Sequence, residues 1–301
     1  MSSEIAVPAQ QTEAQKKRRS SSTVVAFDSI ALLLVMLYLL IPLAATLVFG
    51  LSGPNGFDLS IYSSVLSDAD FSKTLLFSLG LALTAMVLAI VLVTPTAYWV
   101  QLRVPQARPL LDFLSLIPFA VPAILMSLGL LEVYNSPNLL VSILSFGLVP
   151  LLSGPPFVLA NSPQLLVCAY VIISLPFVYR PIENSLRAIN ARILTEAASS
   201  LGSSWWRTFL TVILPNIWPG VISAALLTFS TAMGEFTLAQ LFGIYTFPIY
   251  LNQTGQSDAH KAALLTILSF AFTLVCVLGI ILLARRQPGG QRADVEIAAA
   301  K

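Results

Sequence analysis

Six long apolar runs alternate with short polar segments along the chain. They lie at about Phe27–Phe49, Thr74–Val100, Leu110–Tyr134, Gln164–Arg180, Val212–Glu235 and Ala262–Ala284. At ~1.5 Å per residue each can cross roughly 30 Å of hydrocarbon as a helix, the fourth only just. A further run, Asn138–Leu152, is short and breaks into Ser-Gly-Pro-Pro at 153–156. A run of that length is more often re-entrant or interfacial than spanning. The first run is too long for a signal-peptide core and is expected to remain as a span. The pattern predicts an all-α polytopic membrane protein with six transmembrane helices. Residues 1–26 are expected to form a disordered tail, 27–285 the six-helix membrane domain, and 286–301 a second tail. Pro42, Pro95, Pro118, Pro122, Pro176 and Pro219 fall inside runs, so kinked helices are expected there.

Composition agrees. Of 301 residues 56% are hydrophobic and 10% charged, with a mean hydropathy of +0.84. Soluble domains carry roughly 25% charge, so a soluble enzyme is excluded. A net charge of +2 is too small to argue for nucleic acid as a partner. The placement of charge matters more than its sum. With the N-terminus inside, the cytoplasmic segments are 1–26, 101–109, 181–211 and the tail after 284. Those segments or their edges hold every one of the 16 basic residues except Lys73 and Lys261. Counting Asn138–Leu152 as a span would carry the arginines of 181–211 to the other side, against the positive-inside rule. Six spans with both termini cytoplasmic is the expected topology. The run Lys16-Lys17-Arg18-Arg19 then holds the inner end of the first span.

Candidate chemistry is sparse. Cys168 and Cys276 lie in apolar runs, where cysteine behaves as a small hydrophobe. His260 is the only histidine and lacks neighbours for a ligand set, so no metal site and no catalytic residues are expected. No span carries two aspartates, and His260 lies outside the apolar runs, which argues against an intramembrane hydrolase. The phosphate-cradling G-x-x-x-x-G-K-[ST] loop is absent, and the chain has no Gly-Lys pair. If ATP drives this protein, another subunit hydrolyses it.

The segment 181–215 is the most informative. Ile182, Leu186, Ile189, Ile193, Ala197 and Leu201 recur at helical spacing, with Glu183, Arg187, Asn190 and Glu196 largely on other faces. The spacing predicts one amphipathic helix over 182–201. Gly202 sits where a helix-ending glycine would, and Ser203 or Ser204 is placed to cap a second helix from Trp205. Pro215 marks entry into the fifth span. The order Glu196-Ala197-Ala198, three residues, Gly202, nine residues, then Val212-Ile213-Leu214-Pro215 resembles the E-A-A loop of permease subunits of bacterial ATP-binding-cassette (ABC) importers. The family pattern is E-A-A-x3-G-x9-I-x-L-P, and this chain departs from it at Val212, where isoleucine is usual. The resemblance covers roughly 70–285, including Gly234-Glu235-Phe236.

That resemblance implies the six-helix architecture of a type I importer permease in a bacterial cell membrane. It implies a coupling role for Glu196, Ala197, Ala198, Gly202, Leu214 and Pro215, docked on a cytoplasmic ATPase. The implied partners are two ABC ATPase subunits, a second permease subunit, identical or different, and an extracytoplasmic substrate-binding protein. No cofactor is expected on this chain; ATP and Mg belong to the ATPase. Glu132 and Glu235 lie near the outer ends of the third and fifth spans, and an acid there is costly unless it meets a cavity or partner. Tyr134, Asn135, Ser230 and Thr231, with Ser127, are further candidates to line the path. Two acids without a base suit a cation, and the texture most resembles permeases for spermidine or putrescine. An oxyanion, phosphonate or ferric iron importer of the same architecture is the alternative. An ion-coupled secondary carrier is the alternative from another class, but it has no need of the E-A-A loop, and no inverted repeat is visible.

The topology yields a direct test. Single cysteines at Ser52, Ser153 and Ser257 are expected to react with an impermeant thiol reagent added outside intact cells. One at Ser199 is expected to stay unlabelled, and labelling there refutes the arrangement.

Overall fold

The structure is a computed structural model that describes residues 8–53, 56–57, 63, 65–135, 144–149 and 159–285. Helix α1 spans Pro8–Gly50, followed by a minimal antiparallel pair, β1 (Ser52–Gly53) and β2 (Gly56–Phe57). Then come α2 (Ala69–Arg103), a single 3-10 turn at Pro105–Ala107, α3 (Arg108–Ala120), α4 (Ala123–Asn135) and α5 (Pro163–Ala188). Helix α6 (Ala191–Ser200) is short. Helix α7 (Trp205–Asn216) contains one π turn at Phe209–Ile213. The chain continues through α8 (Trp218–Met233), α9 (Thr237–Leu241), α10 (Phe247–Ser257) and α11 (Ala259–Arg285).

Four helices are long and apolar enough to cross a membrane unaided: Ser29–Gly50 within α1, α2, α5, and Ala259–Leu282 within α11. The expected continuous helix over Leu110–Tyr134 is broken by a bend of 104° between α3 and α4, and that over Val212–Glu235 by 76° between α7 and α8. The count reaches six when each bent pair is one span. At the first break Val121 is extended, φ −99° and ψ 119°, the conformation that Pro122 imposes on the residue before it. At the second, Pro215 and Pro219 flank Ile217 and remove two backbone donors within five residues.

One other expectation changes. The backbone is helical from Pro8, where the sequence suggested a disordered tail over 1–26. The stretch AQQTEAQKKRR from Ala9 is built of strong helix formers and continues the turn of the span behind it. Of Asn138–Leu152 only 144–149 are described, with a turn at 145–147 between helical residues and Gly147 at φ +79°; the rest of that run, the 153–156 break and the tail 286–301 lie outside the described residues.

The core lies between α2, α5 and α8. Ala82, Ala85 and Ala89 on α2, and Ala224 on α8, are fully buried, and such small side chains let helix backbones approach closely. Helix α3 packs on α5, α9 on α4 and α5, and α10 on α2 and α11. The long α1 stands at the edge and packs on α11. There a Cβ on Gly50 would come within 2.9 Å of the Leu264 backbone nitrogen. His260 Nδ1 hydrogen-bonds the Phe49 carbonyl at 2.8 Å, and the two rings stack with centroids 4.3 Å apart.

One ionic knot joins the ends of three helices. Asp68 caps α2 by accepting from Asp70 N–H at 3.0 Å. Its Oδ2 also accepts from Lys261 Nζ on α11 at 2.7 Å and from Tyr250 Oη on α10 at 2.8 Å. The start of α10 is fixed independently, because Phe247 N–H donates to Ser78 Oγ on α2 at 2.8 Å. The bonds from Lys261 and Tyr250 hold the Asp68 carboxyl down at about 2. Burial, with the Asp68 carboxylate alongside, raises the Tyr250 phenol.

A depressed carboxylate stabilises the fold above its unfolded value, and that contribution disappears as pH falls through the folded value. Asp68→Asn is therefore expected to lower the unfolding midpoint of the detergent-solubilised protein at neutral pH. The gap between wild type and variant should close between about pH 5 and about pH 2. A gap independent of pH would show that the knot contributes no ionic stabilisation.

Candidate functional site

The loop between α5 and α8 is ordered throughout. It does not contain one helix over 182–201. Helix α5 runs through Pro176 and Pro181 to Ala188, so Ile182 and Leu186 are fully buried as part of a span. The break comes at Asn190, whose backbone is left-handed with φ 49°. Asparagine is among the few non-glycine residues that adopt this conformation readily. Helix α6 then carries Glu196, Ala197 and Ala198 in its last two turns.

The end of α6 follows from one residue. Gly202 has φ +81°; its N–H bonds the Ser199 carbonyl at 2.9 Å, and Ser203 N–H reaches back to the Ala198 carbonyl at 3.0 Å. These two bonds form a Schellman closure, which satisfies the last carbonyls of a helix and requires a left-handed residue at this place. The hydroxyl cap expected on the next helix is not made. Ser204 takes the extended N-cap conformation without a side-chain bond, and Ser203 Oγ instead pairs with Thr208 Oγ1 at 3.0 Å.

Helix α6 is held on one side and bare on the other. Ala191 is buried and Leu194 packs on the core. Thr195 Oγ1 pairs at 2.8 Å with the hydroxyl of Tyr98, a fully buried residue of α2. The Tyr98 ring stacks on Trp205 and Phe209 of α7, with centroids 5.4 and 5.3 Å away. On the free side Ile193 is 65% exposed and Leu201 89% exposed, with Ala197 between them at four-residue spacing. Glu196 is exposed and paired with Arg192 at 2.9 Å. Ala198 is half-buried, Leu214 packs against the core, and Pro215 is exposed in the last turn of α7. The π turn ends just ahead of Pro215, where the ring displaces the regular hydrogen-bond ladder.

The two acids expected near the path, Glu132 and Glu235, differ from each other. Glu235 Oε1 accepts from Leu238 N–H at 2.8 Å and so caps the short helix α9. Glu132 on α4 is exposed and has no hydrogen-bond or ionic partner among the described residues. Because α9 packs on α4, the short helix that Glu235 caps meets the helix that bears Glu132. Tyr134 is half-buried, Asn135 ends α4, and Ser230 is exposed. The hydroxyls of Thr231 and Ser127 bond carbonyls of their own helices, those of Leu227 and Ala123. Among the described residues no group of three or more His, Cys, Asp or Glu side chains is gathered as a metal site would need.

The sequence reading missed Tyr98, Thr195 and Trp205, because a single buried tyrosine in an apolar run carries no local signal. It also missed Glu183, which is buried on α5 and ion-paired with Arg187, and the Asp112–Arg180 contact at 3.5 Å between α3 and α5. Charge spacing i, i+4 marks the first pair; nothing local marks the second.

A family described as "Binding-protein-dependent transport system inner membrane component" matches residues 102–289, which contain the loop and both acids. The chain belongs to this family. Its spermidine/putrescine transport system relative PotB from Escherichia coli (strain K12) is 32% identical over 188 residues, 62% of this chain and 66% of PotB. The molybdenum transport system permease protein ModB from Azotobacter vinelandii is 34% identical over 179 residues, 59% of this chain and 75% of ModB. The fold of this family member is similar to a crystal structure of a bacterial ABC transporter involved in the import of the acidic polysaccharide alginate. The TM-score is 0.68 at 14% identity, covering 91% of this chain and 99% of the other. The chain is thus a membrane-embedded, all-α relative of transport permeases.

The geometry at Glu235 separates a cap from a ligand. Glu235→Gln keeps an acceptor oxygen for Leu238 N–H and should preserve both folding and uptake, whereas Glu235→Ala should cost about 1 kcal/mol of stability. A collapse of uptake in the well-folded Gln variant would assign the charge itself to the path. Detergent unfolding alongside proteoliposome uptake distinguishes the two outcomes.

Proposed function

We propose that this chain is the membrane-spanning permease subunit of an ABC importer. It forms one half of the path for a small solute that an extracytoplasmic binding protein delivers and a separate ATPase drives. The observation that carries the reading is the bare apolar edge of α6, Ile193, Ala197 and Leu201, on a helix closed off by the left-handed Gly202. An amphipathic helix laid in a groove is a common recognition mode, and the two alanines let such a helix approach its partner closely.

In this reading two ATPase subunits hold ATP and Mg, one under each of two permease subunits. Helix α2 offers a surface for the second permease, an open groove lined by Leu83, Thr84, Val87, Leu88 and Val91. Both termini and the 181–215 loop face the cytoplasm, as the distribution of basic residues favours. Glu196, Ala197, Ala198, Gly202, Leu214 and Pro215 form the coupling segment. Glu132, Tyr134, Asn135, Ser230, Thr231 and Glu235 belong to the outer path, with Glu235 serving chiefly as a cap.

The favoured solute is a polyamine such as spermidine or putrescine. Exposed, unpartnered Glu132 supports a cation, since its negative charge acts in a layer of low dielectric. An oxyanion is the second reading, favoured by similarity to ModB and to the probable sulfate transport system permease protein cysT of Chlorella vulgaris, 37% identical over 139 residues. A ligand screen on the cognate binding protein, with spermidine, molybdate and sulfate as probes, decides between them.

The coupling reading has its own test. A valine at Gly202 must adopt a left-handed conformation costing roughly 1–2 kcal/mol, and Ala197→Trp, on the bare edge, holds the helix away from a groove. Both variants are expected to insert normally while binding-protein-stimulated ATP hydrolysis and transport in the reconstituted complex fall by roughly tenfold or more. Wild-type rates in both would reduce the loop to a connector.

A further inference from the structure

Both exits of the loop converge on one helix crossing. On the upstream side α6 joins α5 through Ile189 and Asn190, whose N–H groups bond the carbonyls of Ser185 and Arg187. On the downstream side α7 hands over to α8 through the 76° bend at Ile217. Ile213 and Ile217 are fully buried there, and the Ile217 carbonyl accepts from both Gly220 N–H and Val221 N–H. Gly220, in the first turn of α8, is buried directly against α5. A Cβ on Gly220 would lie 2.1 Å from Ser185 Oγ, 2.7 Å from the Pro181 carbonyl oxygen and 2.8 Å from Ser185 Cβ.

Such separations are far inside van der Waals contact, and the Pro181 oxygen is backbone that cannot swing aside. Pro181 sits inside a helix, where it leaves the carbonyl four residues upstream without its helical donor, and the chain here is stiffened by packing. The neighbouring ion pair of Arg187 with buried Glu183 lies on the same inner end of α5. Two breaks, at Asn190 and Ile217, offer places where movement of α6 could be dissipated before it reaches the spans. The crossing at Gly220 joins the ends of α5 and α8 that lie just beyond these two breaks.

We infer that Gly220 is a positioning residue for coupling: by bringing α8 into backbone contact with Pro181 and Ser185, it makes α5 and α8 one lever on which α6 acts. The inference rests on the importer reading. A displacement of α6 then reaches the outer ends of α5 and α8 as rigid-body rocking. A loosened crossing absorbs it at the bend. Helix–helix interfaces of this kind have discrete arrangements and deform little in between.

The test uses the full complex of two permeases, ATPase and binding protein in proteoliposomes, with nucleotide alone as the probe. Spin labels at Thr254 on α10 of each permease report the separation of the outer ends with and without ATP and vanadate. A second pair, Ser199 and Thr254 within one chain, reports whether the chain moves as one body. Wild type is expected to change the first distance and keep the second. Gly220→Ala should keep the ATPase bound while the first change falls to under half and binding-protein-stimulated hydrolysis falls roughly tenfold. Adding Ser185→Gly removes two of the three contacts and should restore part of both, with the amount of assembled complex equal in the two variants, which separates this recovery from a rescue of folding. Wild-type distance changes in Gly220→Ala overturn the lever. Loss of assembly in Gly220→Ala without recovery in the double variant assigns Gly220 to folding and also overturns it. If wild type itself shows no nucleotide-dependent change between chains, the importer reading falls, and the lever with it.

Discussion

Every backbone and side-chain polar group in a membrane span must find its partner within the protein, because hydrocarbon supplies none. The spans of this chain meet most of that demand locally. The hydroxyls of Thr84, Thr96, Thr228 and Thr266 each bond the carbonyl four residues earlier in their own helix. With hydroxyls absorbed this way, the spans interact mainly by shape, and small residues decide how near two helices come. That is why Ala82, Ala85, Ala89 and Ala224 occupy the core between α2, α5 and α8, and why glycines stand at the crossings of Gly50 and Gly220, where a Cβ would clash. The buried hydroxyls of Thr94 and Ser174 find no hydrogen bond among the described residues; they sit one and two residues before Pro95 and Pro176, where the ladder of carbonyls is disturbed.

The same constraint governs which features the amino-acid pattern revealed. Apolar runs bounded by charge are set by the thickness of the bilayer, so α2 and α5 lie where hydropathy puts them. The left-handed Gly202 was equally legible, since the conformation it takes is one other residues avoid. The bends at Val121 and Ile217 were not. Prolines announced a disturbance, but a kink and a full turn share the same local chemistry, and only packing against α5 and α9 separates them. The break at Asn190 was hidden for a related reason: Ile182, Leu186, Ile189 and Ile193 keep helical spacing across it, while the first two are buried in a span and Ile193 is exposed. Long-range pairs such as Asp68 with Lys261, or Tyr98 with Thr195, leave no periodic trace at all.

The two ends of the bundle are held by different physics. At one end Asp68, Lys261 and Tyr250 form charge-assisted bonds in a partly wet layer, which tolerate small shifts and depend on pH. At the other, Tyr98, Trp205 and Phe209 stack in a buried aromatic cluster, and Gly220 meets α5 without intervening side-chain bulk. Packing of this kind is stiff and short-ranged. The end that carries the loop is therefore the rigid one, and the opposite end the adjustable one.

Exposure on α6 and α7 carries a cost that the isolated chain does not recover. Ile193, Leu201, Trp206 and Leu210 lie together in sequence around the loop and are 54–89% exposed. A lipid-facing residue at that exposure is unremarkable, but these flank Glu196, Arg192 and Arg207, which belong in water. Covering each large apolar side chain is worth roughly 1.5–3 kcal/mol, enough for a handful of them to hold a modest interface after the cost of association. The Arg192–Glu196 pair at its edge is exposed and contributes little to the fold. Its value lies in keeping two long side chains off the apolar strip. Helix α6 thus combines a closed C-terminal end, small residues along its edge and large apolar groups left exposed.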